Sequence, residues 1–126
     1  MTNEYKGRTG LDRVLRATGH SLNGLKLAYV GESAFRQEIW LAAVMLPTSF
    51  WLGKNWLETS ALAASVCLVL IVELLNSAIE AAVDRVSFEL HDLSKRAKDI
   101  ASAAVFVSLM LCAGIWLAAI VARFWA

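Results

Sequence analysis

The sequence predicts an all-α membrane protein: three transmembrane helices preceded by an N-terminal amphipathic surface helix. Three observations carry this. Hydrophobic residues make up 58% of the 126-residue chain and charged residues only 18%, with a mean hydropathy of +0.55. That leaves too little polar surface for a water-soluble domain of this size. The apolar residues gather into three long runs, at about 34–52, 57–83 and 100–121. The stretch before them is apolar only at helical intervals. The length suits a single membrane domain, 1–126. A net charge of +1 provides no basic field of the kind that binds nucleic acid. Cys67 and Cys112 lie inside apolar runs without disulfide or zinc spacing, and read as small packing residues.

Residues 1–10 are polar and expected to be flexible, with no apolar core of a cleaved signal. From 11 to 29, Leu11, Val14, Leu15, Thr18, Leu22, Leu25 and Tyr29 follow helical spacing. Arg13, Arg16, His20, Asn23 and Lys26 fall mostly on the other side. This is the pattern of a helix lying in the interface, its bases toward headgroups or phosphate. Gly19 and Gly24 weaken it as one unbroken rod. The charged stretch GESAFRQE at 31–38 sits at the membrane boundary. The first span is short for a hydrocarbon layer of about 30 Å, and Pro47 inside it permits a kink or an early end. Trp51 and Trp56 flank a turn at 53–55, as interfacial aromatics do.

The second span is bare of charge from Ala61 to Val72. Residues 85–99 form a polar connection. The third span opens with Ala101, Ser102, Ala103 and Ala104, small residues that let helices approach closely. Ten of the 12 Lys and Arg residues lie either before the first span or in 85–99, leaving Lys54 and Arg123. The positive-inside rule then places the N-terminus and the 85–99 loop in the cytoplasm, and the C-terminus outside.

The chemistry concentrates at Glu73–Asp84, ELLNSAIEAAVD. At about 100° per residue, Glu73, Ser77, Glu80 and Asp84 share a narrow arc, with Asn76 at its edge. An ionisable group at membrane depth costs about 2.5–3.5 kcal/mol even on the lenient insertion scale. A stripe of them suggests a site for cations or protons; the alternative is a polar seam between helices. Asp84 lies about 16 Å along the axis from Glu73. If Asp84 is at the headgroups, Glu73 is well inside and Glu80 about a turn below the surface. Glu32 and Glu80, at one level, suit a hard divalent cation such as magnesium, which takes one or two carboxylates and completes its shell with water and phosphates. Lys98 offers a point charge for phosphate, and Asp99 another carboxylate. Taken singly, Glu32, Lys98 and Asp99 also fit interfacial solvation and helix capping. Glu73 suits a general base acting on an alcohol, or a protonated donor between helices. The run from Gly19 to Lys26 is close to a phosphate-binding loop, but it lacks Ser or Thr after the lysine and lies in a helical pattern.

The pattern E-x-x-N-S-x-x-E-x-x-x-D at 73–84 resembles the signature of the small prokaryotic diacylglycerol kinases. The resemblance extends to ESAFRQE at 32–38, to RAKD at 96–99 with Ser102 beyond it, and to Arg13 and Gly24-Leu25-Lys26. It covers nearly all of the chain after the first ten residues. It implies an ATP-dependent lipid kinase of the bacterial inner membrane that phosphorylates diacylglycerol to phosphatidic acid with Mg²⁺. It also implies a homotrimer whose active sites are shared between chains. By matching position, Glu73 would be the base on the lipid hydroxyl, and Glu32 and Glu80 would hold magnesium on the ATP phosphates. His20, Asn76, Glu89, Leu90, His91, Lys98 and Asp99 would meet the nucleotide. Arg13, Lys26, Ala34, Phe35, Arg36, Gln37, Glu38 and Ser102 would meet the lipid. The chain departs from the family pattern at His20, where tyrosine is usual, at Leu90, which replaces an aromatic, and at Lys95, where glycine is common. These departures touch nucleotide contacts and leave the phosphoryl-transfer centre intact. Two other readings stay open: an undecaprenol kinase, since those enzymes share much of the signature, and a non-enzymatic membrane subunit using the acidic seam.

Overall fold

The structure, a computed structural model, describes residues 9–86 and 91–125. These form four α-helices: α1 (Gly10–Gly31), α2 (Ser33–Leu52), α3 (Trp56–Val86) and α4 (His91–Trp125). The flexibility expected of residues 1–10 falls almost wholly outside the described residues, and Gly10 already begins α1. Thr9 caps that helix, its Oγ1 accepting from the Asp12 N–H at 3.3 Å, a contact type worth about 1 kcal/mol. Asp12 in the first turn also favours the helix dipole. Gly19 and Gly24 do not interrupt the helix.

Glu32 is the sole non-helical residue between α1 and α2, with extended torsions of φ −120° and ψ 111°. α2 then continues through Pro47 to Leu52. Pro47 removes one backbone donor, and nearby hydroxyls serve the carbonyls around it: Thr48 Oγ1 donates to Val44 O at 2.7 Å and Ser49 Oγ to Leu46 O at 2.6 Å. The early end that proline permits does not occur. Gly53 ends the helix, its N–H donating to Ser49 O at 3.0 Å. A Cβ at Gly53 would run into the Thr59 side chain and backbone, so only glycine fits this turn as it stands. Asn55 then caps α3, its Oδ1 accepting from the Glu58 N–H at 2.8 Å.

α3 and α4 form the most extensive helix pair. Each contributes residues at i, i+4 and i+7: Leu62, Val66 and Val69 from α3, and Cys112, Trp116 and Ala119 from α4. Ala42 and Leu52 of α2 complete this core. The Trp116 indole N–H lies 3.2 Å from both Leu62 O and Ser65 Oγ. Ser65 Oγ itself donates to Leu62 O at 2.7 Å, so the polar atoms between the two helices are paired. At the same end as Gly53, Lys54 Nζ donates to Ala122 O at 3.2 Å and Arg123 lies 4.6 Å from the centre of the Trp51 ring.

The polar connection expected at 85–99 is largely helix. Arg85 belongs to the last turn of α3, and α4 begins at His91. Its charges are helix-compatible: Asp92 sits in the first turn, and Lys95 pairs with Asp99 at i, i+4. At 31 and 35 residues, α3 and α4 run about 46 and 52 Å. They are the two helices, among the described residues, long and apolar enough to cross a bilayer. The exposed surface of the single chain is rich in large apolar side chains, among them Trp40, Phe50, Leu75 and Phe106.

Candidate active site

At the end of the bundle away from Gly53, three helices enclose an open groove of about 410 Å³. α3 supplies Glu73, Asn76 and Glu80, which share a face because they are spaced i, i+3, i+7. α4 supplies Ser102, Val105 and Leu109 at the same spacing, α2 supplies Ala34 and Glu38, and Glu32 enters from the α1–α2 break. Glu73 is the buried carboxylate of the set, 5% exposed. Glu32, Glu38 and Glu80 are all near enough for their charges to act on it. Asn76 Nδ2 donates to Glu80 Oε1 at 3.3 Å. Asn76 Oδ1 and Glu38 Oε2 are buried, with no hydrogen-bond partner among the described residues.

The chemistry of this groove is that of hard oxygen donors crowded at one place. Carboxylates this close repel one another unless a cation, a proton or a donor hydroxyl enters. No three His, Cys, Asp or Glu side chains converge as a complete ligand set among the described residues. A cation held here would take one or two carboxylates and draw its other ligands from elsewhere, which is how magnesium commonly binds beside phosphates. The groove is lined by both polar and apolar groups: carboxylates and an amide, with Val105 and Leu109 from α4.

Of the residues singled out from the sequence, the groove gathers Glu32, Ala34, Glu38, Glu73, Asn76, Glu80 and Ser102. Lys98 lies outside its lining and pairs with Asp84 at 2.6 Å, tying the start of α4 to the end of α3. Asp99 pairs with Lys95 at 2.6 Å. Arg13, His20 and Lys26 are exposed on α1, and Gln37 on α2. Phe35, expected at the lipid, is packed inside the chain at 1% exposure. Arg36, also expected at the lipid, donates from Nη1 to Tyr29 O and Val30 O at 2.8 Å each. Glu89 and Leu90 lie outside the described residues, as does the side chain of His91.

Val105 and Leu109 escaped the sequence reading. The signal for them was their spacing from Ser102, which was legible but indistinguishable from the apolar pattern of any span. A second opening, of about 670 Å³, separates α1 from α3 and also includes Glu32. Gly24, Ala28 and Gly31 face Leu74, Ser77 and Ala78 across it.

Comparison with known proteins places this groove in a family. The family model described as Prokaryotic diacylglycerol kinase matches residues 19–120. The chain is 54% identical over 112 residues to a diacylglycerol kinase of Pseudomonas aeruginosa, covering 89% of this chain and 91% of that one. It is 46% identical to one from Haemophilus influenzae, covering 86% of this chain and 92% of the relative. It is 44% identical to one from Escherichia coli strain K12, covering 86% and 88%. All the groove residues from α2, α3 and α4 lie within the matched span, as does Glu32. The chain belongs to the prokaryotic diacylglycerol kinase family.

Proposed function

We propose that this diacylglycerol kinase moves the γ-phosphoryl group of ATP onto the free hydroxyl of diacylglycerol at the acidic groove, giving phosphatidic acid and ADP. The observation that carries this is the convergence of Glu32 from the α1–α2 break, Glu73 and Glu80 from α3 and Ser102 from α4 onto one groove. Phosphoryl transfer asks a protein chiefly for positioning and charge neutralisation. Glu73 takes the proton of the lipid hydroxyl as its oxygen bonds to the γ-phosphorus, while the bond to the ADP oxygen breaks. A buried carboxylate beside an apolar wall suits a base that meets an alcohol delivered from lipid. Ser102 orients that hydroxyl from the facing helix. Ala34, too small to fill the groove, leaves room for the glycerol.

Glu32 and Glu80 fit a magnesium ion by donor type and by sharing one groove, and the unpartnered Asn76 Oδ1 is an available oxygen beside them. Such an ion, when bound, would neutralise charge on the ATP phosphates. Asn76 holds Glu80 in place, and Asp84 presents Lys98 at the mouth, where phosphate approaches. Asp99, His20, Glu89, Leu90 and His91 contribute to nucleotide binding. Arg13, Lys26, Gln37 and Glu38 lie along the path of the lipid.

The chain is a bacterial membrane protein forming one domain, with α2, α3 and α4 as spans and α1 on the surface. The groove end, the N-terminus and the 85–99 stretch face the cytoplasm, in line with the distribution of Lys and Arg. The Trp51, Arg123 and Phe124 cluster lies at the outer face, as interfacial aromatics and bases do. Three chains assemble, and their sites are shared between neighbours. The open groove and the exposed apolar faces of the single chain support this.

The test is ATP turnover by the purified protein in bilayers, offered diacylglycerol or undecaprenol, with Mg²⁺ and then with chelator. Turnover that needs both diacylglycerol and Mg²⁺ is expected. Preference for undecaprenol would reassign the lipid, and no turnover on either would end the kinase reading.

A further inference from the structure

Glu32 lies at the junction of two structures. Its peptide is bonded to both helices, the N–H donating to Ala28 O at 2.9 Å and the carbonyl accepting from the Arg36 N–H at 3.1 Å. Its side chain borders both the acidic groove and the α1–α3 cleft. A single extended residue between two helices is a hinge, and rotation there changes both the slope of α1 and the placement of the Glu32 carboxylate. Little else among the described residues fixes that slope. Ala28 is the buried residue of α1, Leu11, Val14, Leu15 and Leu22 are exposed, and the cleft to α3 is open.

Resting on the kinase reading above, we infer that Arg36, aided by Tyr29 and Trp40, is a positioning residue for Glu32. Arg36 reaches back across the hinge to the carbonyls of Tyr29 and Val30. These belong to the last turn of α1, whose carbonyls have no partner within the helix. The last turn of α1 carries no base of its own, so the guanidinium is also the cation that the helix C-terminus favours. One turn further along α2, Trp40 Nε1 donates to Tyr29 Oη at 3.2 Å. The two contacts brace α1 against the start of α2 and hold the hinge at one angle. A ligand carboxylate needs placement to within about 0.5 Å, so a slack hinge weakens cation binding even with Glu32 present. This gives Arg36 a task distinct from touching lipid: its guanidinium is spent on α1, and it does not line the groove.

The experiment compares wild type with Arg36→Ala, Arg36→Lys and Tyr29→Phe in bilayers. One readout is the Mg²⁺ dependence of lipid phosphorylation. The other is Mn²⁺ binding followed by electron paramagnetic resonance with a non-hydrolysable ATP analogue and no turnover. Arg36→Ala is expected to need about tenfold more Mg²⁺, the size of effect seen when support around a metal ligand is lost. Its Mn²⁺ affinity falls in parallel while KM for diacylglycerol stays near wild type. Arg36→Lys recovers most of the loss, and Tyr29→Phe shows a smaller shift in the same direction. Unchanged Mg²⁺ and Mn²⁺ profiles with a raised KM for diacylglycerol would overturn the inference and make Arg36 a lipid contact. Should Arg36→Ala not fold, wild-type Mn²⁺ affinity in Tyr29→Phe overturns it equally. Absence of lipid-dependent turnover in wild type, with Mn²⁺ binding still weakened by Arg36→Ala, would sink the kinase reading and leave the positioning role standing.

Discussion

Gly53 shows how one missing side chain holds the α2–α3 turn together. Its backbone lies so close to Thr59 that a methyl group has no space. Gly53→Ala is therefore expected to lower stability by about 1–3 kcal/mol, the usual range for overpacking, seen as a lower Tm in detergent. Adding Thr59→Ser should leave most of that loss in place, because the Thr59 backbone also obstructs the new Cβ. A Gly53→Ala protein with unchanged Tm would mean that the turn relaxes freely. At the other end, Glu80 and Glu73 differ by two helical turns on one face, and the proposed roles divide accordingly. Glu80→Gln is expected to raise the Mg²⁺ needed for half-maximal rate on the order of tenfold. A Mg²⁺ titration that superimposes on wild type would remove Glu80 from the metal.

The pairing of α3 with α4 rests on a small polar junction inside an apolar seam. Trp116 donates toward Leu62 O and Ser65 Oγ, and Cys112 lies 3.5 Å from Ser65 Oγ. Trp116→Phe removes the indole donor and shrinks the packed ring. A loss of about 1–2 kcal/mol follows, since Ser65 still serves the Leu62 carbonyl. Equilibrium unfolding in mixed micelles measures it, and no loss would show the junction to be incidental.

The long helices and the acidic stripe were legible in the sequence because period and hydropathy are local signals. The stripe Glu73, Asn76 and Glu80 appears on one face of α3 as its spacing demands. The start of α4 was misread because Asp92, Lys95, Lys98 and Asp99 look like a solvated loop when counted as charges. Read with Lys95 and Asp99 as i, i+4 partners, the stretch looks like a helix. The break between the surface helix and the first span was legible, but not its narrowing to the single residue Glu32 or the reach of Arg36 across it, a contact that composition does not encode.

As a molecule, the chain presents one polar end, one aromatic end and a long apolar flank with few buried residues. The proposal of a shared site in a trimer rests on the open groove and these exposed apolar faces. Mixing inactive Glu73→Gln chains with inactive Glu80→Gln chains before reconstitution tests it. If each site draws on neighbouring chains, some mixed trimers contain an intact site and activity returns. Mixtures as inactive as either parent would place Glu73 and Glu80 of each site in one chain, as they lie in this groove.

The division of labour between a base at depth and a metal carboxylate nearer the water is tested most directly at Glu73. Wild type and Glu73→Gln are compared for lipid phosphorylation and, separately, for binding of a non-hydrolysable ATP analogue with Mg²⁺. Loss of a general base costs typically 10²–10⁴-fold, so kcat should fall by about 100-fold or more while nucleotide affinity stays near wild type. A folded Glu73→Gln protein with wild-type kcat would contradict the assignment. So would one that no longer binds nucleotide with Mg²⁺, because Glu73 would then belong to the nucleotide and metal site.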